Sequence, residues 1–184
     1  PGTPNDDNRD SLPEAIKGSD MVVNENGNNS QPYPIGLKEV TGILADGLED
    51  RWYEYIPTSY DGSKPVPLVV GNHGGLMTGW GHAIYTSWTM LADREGFICV
   101  FPQGYVRDIA MMGNVPCAMW MGAAFSQLVP ELDANTDVNC LTEILNKTEA
   151  TYSIDKTRIY ITGHSNGSMM TLSLAAENAE RFAA

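Results

Sequence analysis

One five-residue stretch, Gly163-His-Ser-Asn-Gly167, constrains the fold more than any other feature of the chain. The residues before it, Arg158 to Thr162, are mostly β-branched or aromatic, which favours a strand. The segment after it is rich in Met, Leu and Ala, which favours a helix. A strand and a helix joined this closely need glycine on both sides of the turn, because a Cβ there would collide with its neighbours. The stretch therefore predicts a tight strand-to-helix turn with Ser165 at its tip.

Ser165 is the candidate nucleophile of this turn. A serine held in a strained backbone conformation between a strand and a helix projects its hydroxyl above the sheet, as in the Gly-x-Ser-x-Gly elbow of serine hydrolases. The start of the following helix would place N–H groups and a partial positive charge where an oxyanion forms. The alternative is a turn that uses glycine and serine only for tightness and capping.

A second signal follows an earlier strand. The apolar run over residues 66–71 predicts a strand buried on both faces, and the motif His73-Gly74-Gly75 comes soon after it. In a serine hydrolase one oxyanion donor is the N–H of the residue after the nucleophile, here Asn166. The other donor lies in a loop of this second kind, where Gly75 or Leu76 would supply it. The alternative is a glycine-rich turn in which the histidine is structural.

Patterned segments alternate along the chain from residue 31 onward. The predicted strands cover residues 38–44, 51–57, 66–71, 97–101 and 158–162, and the second of them alternates as a half-exposed antiparallel strand does. One predicted helical stripe contains Ile84, Trp88, Leu91 and Glu95, and another, on a helix that begins at Thr136 or Asp137, contains Val138, Leu141, Ile144, Leu145 and Thr148. This order predicts an α/β fold with a mostly parallel sheet over residues 31–184, after an acidic, Asn-rich arm over residues 1–30.

The charge of the chain argues against two classes of partner. There are 23 acidic and 11 basic side chains, a net charge of −12, so we expect neither nucleic acid nor an anionic membrane as a partner. No apolar run is long enough to span a bilayer, and no signal peptide is visible. A start at Pro1 is compatible with a secretion signal that has been removed.

Cys99 is expected to be a buried thiol, whereas Cys117 and Cys140 could pair in an oxidising compartment.

The stretch over residues 105–130 is the least regular part, and its Met and aromatic side chains suit either an adaptable binding surface or a cover for the core. Trp120 in this stretch and Trp80 are candidates for substrate contacts, although aromatic residues near a helix are more often core.

Residues 133–139 resemble the start of a calcium loop, but Val138 and Ile144 occupy the positions where that loop needs Gly and Glu. A helix cap is the favoured interpretation there, and no metal is expected.

Taken together, these motifs resemble those of α/β-hydrolase esterases of the poly(3-hydroxybutyrate) depolymerase and feruloyl esterase group. The resemblance is carried by residues 51–57, 67–74, 88–104 and 152–170, and the stretch Gly-His-Ser-Asn-Gly with the methionines after it is its most specific part. It implies an α/β-hydrolase fold, secretion, and hydrolysis of carboxylic esters without a cofactor. It also implies Ser165 as nucleophile, with Asn166 and the loop after His73 as the oxyanion hole. Polyesters, feruloylated or acetylated polysaccharides and small esters all remain open as substrates.

The chain departs from this pattern after the serine. In the α/β-hydrolase fold the triad acid and histidine follow the nucleophile in sequence, but no histidine follows Ser165. His164 neighbours the nucleophile and should point elsewhere, and His82 is a poor substitute base. We therefore expect the chain to be the N-terminal portion of a hydrolase, with the acid and the base in a segment after Ala184 or on a separate chain.

Two functions from different classes remain at this point. In the first, the chain belongs to a serine esterase that acts through an acyl-enzyme once the missing base is present. In the second, it is a catalytically inactive hydrolase-like binding or assembly module, whose open sheet edge a partner chain would cover.

Overall fold

The computed structural model describes residues 21–23, 30–32, 36–109, 115–123 and 134–184. The strands found there, in chain order, are β1 (Met21–Val23), β2 (Ser30–Pro32), β3 (Leu37–Ile43), β4 (Glu49–Tyr55), β5 (Val66–Asn72), β6 (Ile98–Pro102), β7 (Val106–Ile109), β8 (Val115–Ala118) and β9 (Ile154–Gly163). The α-helices within the same ranges are α1 (Gly79–Thr86), α2 (Trp88–Glu95), α3 (Ala134–Thr151) and α4 (Asn166–Glu177), and a 3₁₀ turn at Ala179–Arg181 follows α4.

Five of these strands form one central sheet in the spatial order β3-β4-β6-β5-β9. Strand β5 is parallel to both β6 and β9, whereas β4 is antiparallel to both β3 and β6. The pairs β1–β2 and β7–β8 form separate two-stranded antiparallel sheets. The predicted α/β fold is confirmed. The sheet is mixed at its β3 end because the short connection from β3 to β4 permits only antiparallel pairing.

The sheet buries both of its faces. Leu68 and Val70 of β5 pack into an apolar cluster with α3 and α4, and Val69 between them packs into a second cluster with α1 and α2. Successive side chains of a strand point to opposite faces, so a strand covered on both faces must be apolar at every position. This explains the continuous apolar runs that identified β5 and β6 in the sequence.

Helix α3 covers one face with the stripe predicted for it. The five stripe residues are buried, with exposures of 7% for Val138, 2% for Leu141, 1% for Ile144, 1% for Leu145 and 0% for Thr148. The helix begins at Ala134, two residues before the predicted start, and ends at Thr151. The spacing of three and four residues therefore placed these five residues on the inward face correctly, and Asp137 and Cys140 are buried there as well.

Strand β4 is antiparallel as predicted, but the prediction that it is half exposed was wrong. Trp52 and Glu54 face one apolar cluster and are buried, and Tyr53 and Tyr55 face the other and are also buried. The Glu54 carboxylate is tolerated inside because it accepts hydrogen bonds from Trp52 Nε1 at 2.8 Å and from the Tyr152 hydroxyl at 2.6 Å. In β4, the polar residue within the alternating pattern belongs to a buried hydrogen-bond network, and it does not mark a solvent-exposed face.

The helical stripe predicted over Ile84 to Glu95 is divided between two helices. Ser87 has a φ of 56°, a left-handed conformation that ends α1 and begins α2. Thr86 Oγ1 donates to the carbonyl of His82 at 2.7 Å, a local bond of the kind that bends or ends a helix. Glu95, which was placed on the inward stripe, is exposed.

The predicted arm over residues 1–30 lies mostly outside the described residues, which include Met21–Val23 of it as one strand of the β1–β2 pair. In the part of the chain that the structure describes, no helix is both long and apolar enough to cross a membrane.

We expect Leu145→Ala to lower the free energy of unfolding by about 2–5 kcal/mol, because Leu145 is 1% exposed and the change leaves a cavity under α3. The matched control is Leu48→Ala, because Leu48 is 48% exposed in the turn between β3 and β4. The control should change stability by less than about 1 kcal/mol. Urea titrations followed by circular dichroism measure both, and equal losses would contradict the packing described for α3.

Candidate active site

The predicted strand-to-helix turn is present at the end of β9. Strand β9 ends at Gly163, α4 begins at Asn166, and Ser165 between them has a φ of 50° and a ψ of −118°. This backbone conformation is strained for a residue with a side chain. Ser165 is exposed, and in the described ranges its hydroxyl has no hydrogen-bond partner. A strained, exposed serine at the start of a helix has the geometry of a nucleophile elbow.

The two glycines of the motif are there for close packing. A Cβ on Gly163 would overlap the carbonyl of Gly167 and lie 2.6 Å from Thr171 Oγ1. A Cβ on Gly167 would overlap the carbonyl oxygens of Asn72 and His73 on the neighbouring strand. The first turn of α4 therefore lies directly against the end of β5, as the sequence predicted, and no residue larger than glycine fits at either position.

The two candidate oxyanion donors lie side by side. Asn166 is the first residue of α4, so its backbone N–H has no acceptor within the helix. A Cβ built on Gly75 would lie 3.7 Å from the Cβ of Asn166, which places the loop after β5 against the start of α4. The Leu76 N–H instead donates to the carbonyl of Ala118 at 2.9 Å. Of the two donors expected in this loop, Leu76 is therefore already engaged, and Gly75 is the one that faces Asn166.

His73 holds the loop from inside the protein. It is fully buried, and its Nε2 accepts a hydrogen bond from the Gly104 N–H at 2.8 Å. The ring proton is then on Nδ1, which donates to the carbonyl of Gly74 at 2.7 Å. Burial lowers the pKa of His73 to about 3, so the ring is neutral at ordinary pH. The histidine of the His-Gly-Gly motif fixes the loop backbone and does not face Ser165.

The other two histidines do not reach the nucleophile either. His164 is exposed and its ring packs against that of Tyr85, with the ring centres 5.4 Å apart. His82 is 1% exposed beside Gly71 and Phe101, and neither of its ring nitrogens has a hydrogen-bond partner among the described residues. Burial lowers the pKa of His82 to about 4. All of the chain's histidines lie within the described ranges, and there none of them is hydrogen-bonded to Ser165.

The two tryptophans considered for substrate contacts are part of the core. Trp80 is 1% exposed in the cluster under α1, and Trp120 is 3% exposed in the cluster on the opposite face. The Trp120 indole N–H donates to the carbonyl of His73 at 2.8 Å. Their burial does not support a role in lining a substrate pocket, and it agrees with the core alternative.

The segment that resembled a calcium loop uses its oxygens within the protein. The Asp137 carboxylate, in the first turn of α3, accepts hydrogen bonds from Arg107 Nη2 and from the Met121 N–H, each at 2.7 Å. No group of three or more potential metal ligands is found among the residues that the structure describes, which do not include Asp133.

Cys140 is a free buried thiol and is therefore not paired with Cys117. Its sulfur lies 3.6 Å from the Tyr105 hydroxyl.

The fold and the elbow together define an α/β-hydrolase. Comparison with known proteins agrees, because residues 96–184 match the prolyl oligopeptidase family. A solved structure of a thermostable esterase superimposes with a TM-score of 0.63 at 18% identity, covering 88% of this chain and 46% of the other.

Among curated proteins, the chain is similar to esterases. It is 29% identical over 150 residues to a probable acetylxylan esterase A of Aspergillus fumigatus, covering 80% of this chain and 36% of that protein. It is 27% identical to feruloyl esterase B of Neurospora crassa, covering 80% of this chain and 46% of that protein. The chain thus spans less than half the length of these relatives, and the predicted resemblance to feruloyl esterases is confirmed.

We expect Gly167→Ala to destabilise the fold by about 4 kcal/mol or more, because the new methyl group would overlap main-chain carbonyl groups that cannot move aside. The control is Gly42→Ala in β3, where the nearest atom to a Cβ is Trp52 Cη2 at 3.4 Å, an ordinary contact. That change should cost less than about 1 kcal/mol. Thermal unfolding of both variants measures the difference, and a stable Gly167→Ala protein would contradict the packing of α4 on β5.

We expect His82→Leu to reduce the loss of stability at acidic pH. The folded pKa of His82, about 4, lies below the ordinary value of 6.5, so the unfolded chain binds more protons between these two pH values. Stability contributed by the neutral ring is present above pH 6.5 and is lost as the pH falls towards 4, by up to about 1.4 kcal/mol per pH unit.

Unfolding titrations of the wild type and His82→Leu at pH 7 and pH 5 measure this effect. The difference between the two pH values should be smaller in the variant, and it should not vanish because His73 is also buried and neutral. An unchanged pH dependence would show that His82 is protonated equally in the folded and unfolded states.

Proposed function

We propose that this chain carries the nucleophile and the oxyanion hole of a carboxylic ester hydrolase. The observation that supports this most is the arrangement at the elbow, where the strained and exposed Ser165 directly precedes Asn166, and Gly75 lies next to Asn166. In the proposed site the backbone N–H groups of Gly75 and Asn166 would stabilise the tetrahedral oxyanion that forms when the serine hydroxyl attacks. The resemblance to acetylxylan and feruloyl esterases supports the same chemistry.

The proposed reaction has two halves. In the first, Ser165 Oγ attacks the ester carbonyl carbon while a histidine removes the hydroxyl proton, and the carbonyl oxygen becomes an anion held by the N–H groups of Gly75 and Asn166. The intermediate expels the alcohol, which takes the proton from the histidine, and an acyl-serine remains. In the second half, water attacks the acyl carbon by the same route, so that the carboxylic acid leaves and the serine is restored.

The histidine in this scheme comes from outside residues 1–184. Each histidine of the chain is either buried or packed away from Ser165. We place the acid that orients the catalytic histidine in the same external segment. The acidic residues after Ser165 are Glu177, at the far end of α4, and Glu180, in the turn beyond it, and both are exposed. The similar proteins are more than twice as long as the matched region, which agrees with a further segment on the same or a separate chain.

The outer edge of β9 is the proposed attachment site for that segment. Strand β9 pairs with β5 along one edge, and on the other edge the Ala183 N–H donates to the carbonyl of Ile159 while the Ile161 N–H donates to that of Ala184. These bonds begin a further strand at the edge next to the nucleophile. A segment that continues this pairing would lie beside β9, the strand that ends at the turn containing Ser165.

The substrate proposed is an ester on a polysaccharide, acetyl or feruloyl, because the similar proteins are named acetylxylan and feruloyl esterases. A polyester substrate is part of the original resemblance and remains a prediction. Secretion belongs to the same proposal and rests on the resemblance to this group of esterases.

The second function, an inactive binding or assembly module, is favoured by one observation. Within the described ranges Ser165 has no base in contact with it. In such a module the glycine-packed turn would be retained for the fold alone, and the edge of β9 would bind a partner chain.

The two functions are separated by measuring hydrolysis of p-nitrophenyl acetate and methyl ferulate by the chain and by the longest natural polypeptide that contains it. We expect the longer polypeptide to hydrolyse at least one ester, and Ser165→Ala to lower kcat by about 10⁴-fold or more without a change in fold. The control is Ser59→Ala, an exposed serine in the connection between β4 and β5, which should retain near wild-type kcat. If neither polypeptide hydrolyses either ester, or if Ser165→Ala stays active, the esterase proposal fails.

A further inference from the structure

A short stretch of backbone joins the two loops that hold the candidate oxyanion donors. We call this stretch, Ala118 to Met121, the bridge segment. It follows β8 and is buried, with exposures of 7% for Ala118, 5% for Met119, 3% for Trp120 and 0% for Met121. No sequence pattern indicates its role, because the surrounding stretch has no regular periodicity.

Trp120 is hydrogen-bonded both to the start of α4 and to the loop after β5, the two elements that carry the candidate oxyanion donors. Its backbone N–H donates to Asn166 Oδ1 at 2.7 Å, and its carbonyl accepts from Asn166 Nδ2 at 3.0 Å, so the amide side chain pairs with the Trp120 backbone as a neighbouring strand would. Its indole N–H donates to the carbonyl of His73 at 2.8 Å, and the two rings pack with centres 4.9 Å apart. Three hydrogen bonds from one residue thus connect the start of α4 to the loop after β5.

The neighbours of Trp120 complete the connection. The carbonyl of Ala118 accepts from the Leu76 N–H, and the Met119 side chain lies against Gly75, where a Cβ would come within 2.5 Å of its sulfur. On the other side, Arg107 Nη1 donates to the carbonyl of Met119 at 2.6 Å, and the Met121 N–H donates to Asp137. The bridge segment is therefore fixed to the body of the protein by Arg107 and Asp137, which form a partly buried ion pair at 2.7 Å.

From this geometry we infer that Trp120 is a positioning residue, which sets the separation and the direction of the Gly75 and Asn166 N–H groups by bonding to both loops that carry them. This inference rests on the proposed function. Oxyanion donors act only when they are held in place before the oxyanion forms, and a displacement of about 1 Å can cost up to about 100-fold in rate. Backbone contact of Gly167 with Asn72 and His73 already holds α4 against the end of β5. Trp120 adds hydrogen bonds to Asn166 itself and to His73, at the start of the loop that carries Gly75.

The test compares two tryptophan variants in the polypeptide that hydrolyses the ester. Trp120→Phe removes the indole N–H that bonds to His73 and keeps an aromatic ring. Trp52→Phe is a matched control, because Trp52 is also 3% exposed, lies in the same apolar cluster and loses one indole hydrogen bond of 2.8 Å, to Glu54. Both changes should lower the thermal midpoint to a similar extent, so a difference in catalysis is not a difference in stability.

We expect Trp120→Phe to lower kcat by about 10-fold with little change in KM, since displaced donors weaken the transition state and not substrate binding. Binding of a boronic acid that forms a tetrahedral adduct with Ser165 should weaken by a similar factor. Trp52→Phe should change neither value by more than about 2-fold. Asn166→Ala, which keeps the backbone donor but loses both bonds to Trp120, should resemble Trp120→Phe in kcat.

The outcomes separate this inference from the proposed function. If the wild-type polypeptide hydrolyses no ester, the proposed function fails. If the wild type is active and Trp120→Phe matches Trp52→Phe in kcat and boronate affinity, the positioning role is overturned while the esterase proposal stands. If Trp120→Phe does not fold, Asn166→Ala decides, and wild-type kcat in that variant also overturns the inference.

Discussion

The close contact between the first turn of α4 and the end of β5 is the constraint on which the rest of the structure depends. Gly167 lies so near the carbonyl groups of Asn72 and His73 that the two backbones touch. The same contact is fixed by the His164 N–H, which donates to the carbonyl of Asn72 at 3.1 Å. Backbone atoms therefore hold the elbow against the end of β5, and the side-chain bonds of Trp120 and Asn166 add a connection to the loop that carries Gly75.

Burial gives the site a second level of order. The polar side chains of His73 and Asn166 point into the protein. There they hydrogen-bond to the backbone of Gly104 and of Trp120 and so hold these segments in place. These two side chains therefore have a structural role, since they bond to backbone groups and neither is hydrogen-bonded to Ser165. The Arg107–Asp137 ion pair extends this order to α3, because its carboxylate also accepts the Met121 N–H.

The sequence predicted the sheet strands, the elbow and the inward stripe of α3, since each depends on a local period or on a glycine with a local reason. It did not predict the buried face of Glu54 or the break at Ser87, because those depend on partners distant in the sequence, such as Tyr152, or on a single backbone angle. The hydrogen bonds between Trp120 and Asn166 were not predicted either. These residues are 46 positions apart, and a contact over that distance produces no periodic pattern in the sequence. The one available clue was an asparagine directly after the serine.

The conformation of Ser165 has a consequence for how the position is to be understood. A φ of 50° with a ψ of −118° is accessible to glycine at little cost, whereas a residue with a side chain loses about 1–3 kcal/mol there. A chain optimised only for folding would therefore carry glycine at position 165. The presence of serine is a thermodynamic burden that folding does not require, and it argues that the hydroxyl group is used, independently of any resemblance to other proteins.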